Sequence, residues 1–400
     1  MSDHDWAQPV PPPLPPGGAA PPPYVPPGAT PQYPPPAYGP PTPGAWPPPA
    51  GPQAWTPPPR PGLLPLRPMG FGTLLWAPFR TLRRNPAPVF GTGLVVQLVS
   101  AVATAAVFVP LFVWVFGRVE SASAADVDAI LSGAVGWVIL LSLVPIAISV
   151  VAGAFLQGVM VVEVASGTIG ERLSFGALWR RAAARIWPLI GWTLIVGAIV
   201  GGVFALVVGA VIAVAVIFPD PATVLAVVLI AVAALLGLGV LGAWLGTKLA
   251  LVPSVIVLER SGVLTAVRRS WALTNGNFWR TFGLILLVGL ILSFAAQVVV
   301  QPVSFLGAIL AMLLDPTVGE AYQAISIGTT VAALVLSVLI GAITSVVQAA
   351  LIAVIYIDLR MRTEGLDLEL ERHVEARDAG RPTTDPYLPA SEQGPVATWS

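Results

Sequence analysis

"RSGVLTAVRRSWALTNGNFWRTFG", residues 260–283, sets Arg260, Arg268, Arg269 and Arg280 among Trp271, Phe278, Trp279 and Phe282 in a chain that is otherwise strongly apolar. Basic residues interleaved with aromatics serve nucleic acid, a substrate site or a membrane surface, and the flanks decide which. Here the flanks are hydrocarbon. The 400 residues are 56% hydrophobic and 10% charged, with a mean hydropathy of +0.81, against about 25% charge in soluble domains. The composition is that of an integral membrane protein.

Long apolar runs place transmembrane helices near 87–116, 134–162, 188–217, 222–247, 281–301 and 324–357, each reaching the roughly 20 residues that a spanning helix needs. The fifth run continues through "QPVSFLGAILAMLL" to Asp315, too long for one straight span and too short for two. Pro302 is expected either to kink it or to start a short interfacial helix. No cleavable signal precedes the first run, which is expected to act as an uncleaved anchor.

Formal net charge is zero, but the charges are sorted along the chain. Of the twenty Lys and Arg, all but Arg118 lie in the N-terminal region, the 163–187 and 248–280 connections and the C-terminal tail. The other three connections carry Glu120, Asp126, Asp128, Asp220, Asp315 and Glu320 instead. The positive-inside rule then predicts a multi-pass plasma-membrane protein with both termini in the cytoplasm.

The opening stretch falls on that cytoplasmic side, between the fourth and fifth spans. Read as a helix from an N-cap at Ser261, it aligns Leu264, Val267 and Trp271 on one stripe, with Arg268 and Arg269 beside it. Asn275-Gly276-Asn277 ends it, because Gly and Asn tolerate the left-handed conformation of a C-cap. Phe278, Trp279 and Arg280 then stand at headgroup level. Two stretches repeat the pattern: "FGTLLWAPFRTLRRNP" (71–86) before the first span and "FGALWRRAAARIWP" (175–188) before the third. The predicted fold is an all-α integral membrane protein: a six-span helical bundle built from three repeats of amphipathic elbow helix plus transmembrane hairpin, over residues 69–365.

The arginines of these elbows, Arg80, Arg83, Arg84, Arg180, Arg181, Arg185, Arg268 and Arg269, have two readings. One is orientation alone. The other is capture of anionic lipid headgroups, to which each Arg near the surface contributes about 1 kcal/mol. Nucleic acid is not expected, because the clusters are short and sit at span entrances.

Within the membrane, Gly197, Gly201, Ala205 and Gly209 recur at i+4 in the third span, and Gly242 and Gly246 lie in the fourth. Small-residue ridges let helices approach closely, and the tight "FPDPA" connection makes these two spans an antiparallel hairpin. Gln97, Gln157, Gln297, Gln301 and Gln348 are expected to hydrogen-bond between helices or to line a polar pathway. Glu163 and Lys248 end the second and fourth spans on the same side, where they would pair or meet water.

Residues 1–68 are Pro-rich and almost free of charge, a composition that favours polyproline II and cannot fold a core; a disordered cytoplasmic tail is expected, and its aromatics, or phosphorylation of Thr30, Thr42 or Thr56, are the features through which an unknown protein partner would bind. Residues 366–400 read as a charged cytoplasmic tail. Cysteine is absent and both histidines, His4 and His373, lie in the tails. No phosphate-binding loop, metal motif or activated nucleophile is visible, so no catalytic residue, cofactor or metal is assigned.

"FRTLRRNP" before the first span, "VLERSGVLTAVRRSWALTNGNFWRTFG" (257–283) and "YIDLRMRTEGLDLEL" (356–370) after the last together resemble actinobacterial membrane proteins grouped with the glycerophosphoryl diester phosphodiesterase membrane domain. The resemblance implies a fold and a location. The catalytic domain that can accompany that membrane domain is absent from this chain. The expected function is therefore non-enzymatic: organising or sensing envelope lipid, or scaffolding a membrane complex. A small transporter or lipid exporter is the alternative, and the membrane subunit of a separately encoded phosphodiesterase a second one.

Overall fold

The computed structural model describes residues 62–123, 126–218, 220–317 and 319–388. The Pro-rich segment with Thr30, Thr42 and Thr56 lies outside them, as does the chain beyond 388. Among the described residues the regular elements are α-helices: α1 (Phe71–Arg84), α2 (Pro86–Glu120), α3 (Val127–Thr168), α4 (Phe175–Ala183), α5 (Ile186–Ile217), α6 (Pro221–Leu249), α7 (Val252–Leu258), α8 (Val263–Thr274), α9 (Phe278–Leu314), α10 (Glu320–Glu364) and α11 (Leu366–Asp378). Six helices are long and apolar enough to cross a membrane, α7 continuing the fourth. The order elbow, long helix, long helix occurs three times, as α1–α2–α3, α4–α5–α6 and α8–α9–α10. Helices are the expected solution, since in hydrocarbon every backbone polar group must be satisfied within its own segment.

The breaks follow the local chemistry. Asn85 and Pro86 separate α1 from α2. Asp220 caps α6, its Oδ1 accepting from Thr223 N at 2.8 Å, with Pro221 at the first position. Gly276 and Gly365 supply the positive φ values of 81° and 70° that end α8 and α10, a conformation costly to residues with a Cβ. Pro302 ends nothing: α9 runs through it from Phe278 to Leu314, so the segment after Pro302 is an extension of the fifth span. α8 starts at an N-cap on Gly262 rather than Ser261.

The core gathers around α10. Half of its most apolar stretch is buried, against none of the corresponding stretches of α5 and α6. α10 packs against α9, α2, α3 and α1, and α5 and α6 pack on each other at the periphery. Packing also begins ahead of the boundary expected at residue 69: Leu63 and Leu64 are buried and Leu63 N donates to Gly167 O at 2.7 Å.

The small-residue ridge is a correction. Gly197, Gly201, Ala205, Gly209, Gly242 and Gly246 are all exposed, and a Cβ added at any of these glycines meets nothing within 4 Å. The half-buried positions of the hairpin are branched instead, among them Val207, Val211, Val224, Val227 and Leu238. A flat row of small residues fits a partner helix or lipid equally, and spacing does not distinguish the two. Close approach occurs elsewhere. A Cβ on Gly93 of α2 would sit 2.6 Å from Val346 Cγ2 and 2.8 Å from Ala342 O of α10, and Gly307 of α9 is closed off by Thr329 of α10.

Gly93→Leu is therefore expected to lower the melting temperature of the detergent-solubilised protein by several degrees, since overpacking a filled contact costs about 1–3 kcal/mol. Gly201→Leu should leave the melting curve in place. The reverse ranking would put the hairpin ridge, not the α2–α10 contact, at the packing centre.

Candidate functional site

The polar residues of the bundle collect at the end that carries the elbows. Three carboxylates are buried there, Glu163 at 1%, Glu259 at 4% and Asp358 at 1% exposure, and they stand at the ends of α3, α7 and α10. A buried charge persists only when paired and hydrogen-bonded, and each has recruited partners from an elbow region. Glu163 accepts from Asn85 Nδ2 at 3.2 and 3.3 Å, at the joint of α1 and α2. Glu259 accepts from Arg269 Nε of α8 at 2.9 Å and from the Tyr356 hydroxyl at 2.7 Å. Asp358 accepts from Met69 N at 2.7 Å and pairs with Arg362 Nε at 2.9 Å and Arg280 Nη2 at 3.3 Å.

The motif "YIDLRMRTEG" carries much of this network. Tyr356 links Glu259 to Arg360, whose Nη1 donates to the Tyr356 hydroxyl at 3.2 Å and to Tyr387 O at 2.9 Å. Glu364 closes the circuit, 3.0 Å from Arg360 Nε and 2.7 Å from Arg269 Nη1. Asp358, Arg280 and Arg362 all converge on the Met69 backbone, Arg280 and Arg362 donating to its carbonyl. Sequence reading quoted this motif without assigning its residues, because a charged run after a last span looks like a solvated tail.

The tail itself is partly built into the structure. α11 packs on α10, Arg377 Nη1 donates to Ile169 O at 2.7 Å, and Tyr387 is buried with its hydroxyl donating to Ala165 O at 2.9 Å. Burial pushes the Tyr387 phenol above its ordinary pKa. The charged tail from 366 is thus anchored to the bundle as far as Tyr387.

The eight elbow arginines divide. Arg269 is committed to Glu259 and Glu364; burial opposes its charge, but those two carboxylates outweigh it and hold its pKa above the ordinary value. Arg84 is turned inward, close against Gly167, with Nη1 buried and without a hydrogen-bond partner. Its pKa is lowered by burial, against the attraction of Glu163 and with the repulsion of Arg172. Both are half-buried and directed at groups within the chain. Arg80, Arg83 and Arg268 are exposed. The face of α8 that packs on the bundle is Ala266, Ser270, Leu273 and Thr274, whereas Leu264 of the apolar stripe is 78% exposed. Small residues let α8 lie close on the bundle, where Ser270 Oγ donates to Lys248 O at 2.7 Å.

Glu163 and Lys248 do not pair with each other. Lys248 Nζ donates to Asn275 Oδ1 at 2.6 Å and lies over the Trp271 ring at 5.4 Å. Asn85 ends α1 and Asn275 ends α8, so each span-end charge meets the asparagine that terminates an elbow. The glutamines make no interhelical hydrogen bond among the described residues: Gln301 Nε2 donates to Gln297 Oε1 one turn away, at 2.9 Å. Gln97 instead lies against Gly341 of α10, while Gln157 is half-buried and Gln348 exposed.

Two cavities flank α4. One, of about 730 Å³, is a groove lined by α2 and α3 residues such as Val95, Val99, Ala147 and Val151, with Trp179, Arg180 and Ile186 closing it at the charged end. Arg180 is its one charged lining residue, exposed and without an ion-pair or hydrogen-bond partner among the described residues. The other, of about 760 Å³, is polar and includes Arg181, Arg185, Arg260, Arg377, His373 and Asp385 in its lining. Trp179 Nε1 donates to Thr92 Oγ1 at 3.0 Å and its ring meets Phe155 edge-on at 4.7 Å, which fixes α4 between the two.

Asp358→Asn tests the network. It keeps the shape and the Met69 hydrogen bond but leaves Arg280 and Arg362 without their counter-charge, expected to cost about 3 kcal/mol as an uncompensated buried pair. The melting temperature should fall by several degrees, while Asp378→Asn, at an exposed pair, should leave it unchanged. Equal curves for the two would remove Asp358 from the core of the network.

No curated protein and no solved structure matches this chain. Residues 72–359 match the family described as Domain of unknown function (DUF7847), a stretch that opens in α1 and closes in α10, immediately past Asp358, so that it holds the three elbows, the six spans and the three buried carboxylates. The chain belongs to that family.

Proposed function

We propose that this is a non-enzymatic plasma-membrane protein that holds an anionic phospholipid, with the acyl chain in the groove between α2, α3 and α4 and the phosphate at Arg180. The observation that carries this reading is the pairing of an almost wholly apolar groove with a single, unpartnered guanidinium at its charged end. Its volume falls within the range of about 300–1,000 Å³ of ligand pockets. Trp179 stands beside Arg180, as an amphipathic ring does at headgroup level. None of the five intramembrane glutamines lines the groove, so its walls solvate hydrocarbon rather than ions or polar solutes, which favours lipid holding over transport. The charged end, with both termini, faces the cytoplasm in this reading, because the Lys and Arg of the connections gather there.

Two measurements test it. Arg180→Gln should weaken retention of anionic phospholipid about five-fold, the equivalent of the roughly 1 kcal/mol that an Arg contributes near an anionic surface, and Ala147→Trp should displace the acyl chain by filling the groove. Native mass spectrometry of the purified protein reads both. Unchanged lipid occupancy in both variants would sink the proposal. For orientation, cysteines replacing Ser123 and Ala222 should react with an impermeant reagent from outside intact cells and one replacing Gly262 should not; labelling at Gly262 alone would invert the topology.

A further inference from the structure

We infer that the polar cavity on the other side of α4 is a binding site for a phosphate-bearing ligand. It goes beyond the lipid groove and uses different residues. Four arginines reach it from three parts of the chain: Arg181 and Arg185 from α4 and its junction with α5, Arg260 from the α7–α8 connection and Arg377 from α11. Glu171 and Asp385 are the carboxylates in its wall. Arg377 is already committed to Asp378 at 3.3 Å and to Ile169 O, so Arg181, Arg185 and Arg260 stand against Glu171 and Asp385 and leave a surplus of one positive charge, which the negative charge of a phosphate group offsets.

The quality of the ion pairs separates this cavity from the structural network. The network bonds are 2.7–3.0 Å long at Arg269, Arg360 and Arg362. In the cavity Arg181 lies 3.8 Å from Glu171 and Arg260 3.6 Å from Asp385, with more than a third of each side chain exposed. The Arg185 guanidinium has no hydrogen-bond or ion-pair partner among the described residues. These guanidiniums keep most of their donors free, and a guanidinium fork fits phosphate oxygens in pairs. Convergence of like charges into a concave site is unfavourable without an anion, and orientation in the membrane requires only that they lie on one side. Arg260 is also held at a φ of 52°, in the left-handed region that only a minority of non-glycine residues adopt,. The segment 383–387 forms one wall and is pinned by Tyr387 through Ala165 O and Arg360. His373 contributes a ring nitrogen 2.9 Å from Thr384 O, which holds that wall to α11.

The ligand chemistry has two sources, a soluble phosphomonoester and a lipid headgroup. The test uses the full chain in phosphatidylcholine nanodiscs, at constant ionic strength set with chloride. Millimolar glycerol 3-phosphate is added as the soluble probe, or phosphatidic acid is built into the disc as the lipid probe, and affinity and melting temperature are read. Stabilisation by either probe is expected, and which one acts names the source. Arg185→Gln and Arg260→Gln should each weaken it about ten-fold, the value of one charge-assisted hydrogen bond. Asp385→Asn, which frees Arg260, should strengthen it, a gain that no loss of folding imitates. Arg180→Gln should leave it unchanged, so failure here is distinct from failure of the groove. No stabilisation of the folded protein by either probe, or equal affinity in the Arg185→Gln, Arg260→Gln double variant, would overturn the inference.

Discussion

Three carboxylates buried at one end of a helical bundle, Glu163, Glu259 and Asp358, impose a condition that the surrounding structure has to meet. An ionised carboxylate out of water costs several kcal/mol unless paired and hydrogen-bonded, so each must find donors at a fixed place. Those donors lie on or beside the elbows: Asn85 at the end of α1, Arg269 on α8, and Met69 with Arg280 flanking α1 and α8. The elbows are therefore docked by polar chemistry as well as by their apolar faces. Placement is closest at Glu259 and Asp358, whose bonds to Arg269, Tyr356 and Met69 are 2.7–2.9 Å long and tolerate little displacement, while the Asn85–Glu163 contact is longer, at 3.2–3.3 Å.

The same condition explains why α10 is central. Its last turns carry Tyr356, Asp358, Arg360, Arg362 and Glu364, which between them touch α8, the α7 end, the Met69 backbone and the C-terminal segment. Removing water from that end strengthens each ion pair and raises the penalty for any unmatched one. Lipid faces the other half of the molecule, and there the constraints are loose: α5 and α6 have no buried residue in their most apolar stretches. Dense polar pairing at one end and sparse burial in the apolar stretches of α5 and α6 accompany a groove beside α4 and a polar cavity behind it.

Arginine illustrates how one residue type divides its labour under these rules. Arg269, Arg360 and Arg362 are bound tightly to internal carboxylates and serve the fold. Arg180, without a side-chain partner among the described residues, and Arg181, Arg185 and Arg260, in stretched pairs or none among them, keep guanidinium donors free of internal carboxylates. The division runs through a single dipeptide at Arg268 and Arg269, one exposed and one paired. Within the free set, Arg180 lines the groove and its neighbour Arg181 the polar cavity.

By itself the sequence determined the membrane class, the number of spans, the elbow before each odd span and the glycine stop at Gly276, because apolar length, charge sorting and left-handed backbone are local properties that a linear pattern records. Tertiary structure decided what those elements face. The ridge from Gly197 to Gly209 turned outward, while Gly93 and Gly341, which share no spacing signal, became the close contacts. Leu264 turned away from the bundle and Ser270 toward it. Arg84 went inside beside Glu163, and Arg269 beside Glu259 and beside Glu364, which is 95 positions away in sequence. The tail from Leu366 to Tyr387 became a wall because Ala165 O, Ile169 O and Arg360 offer it hydrogen bonds. Such pairings join residues tens to hundreds of positions apart, and only the packing of helices against one another brings them within reach.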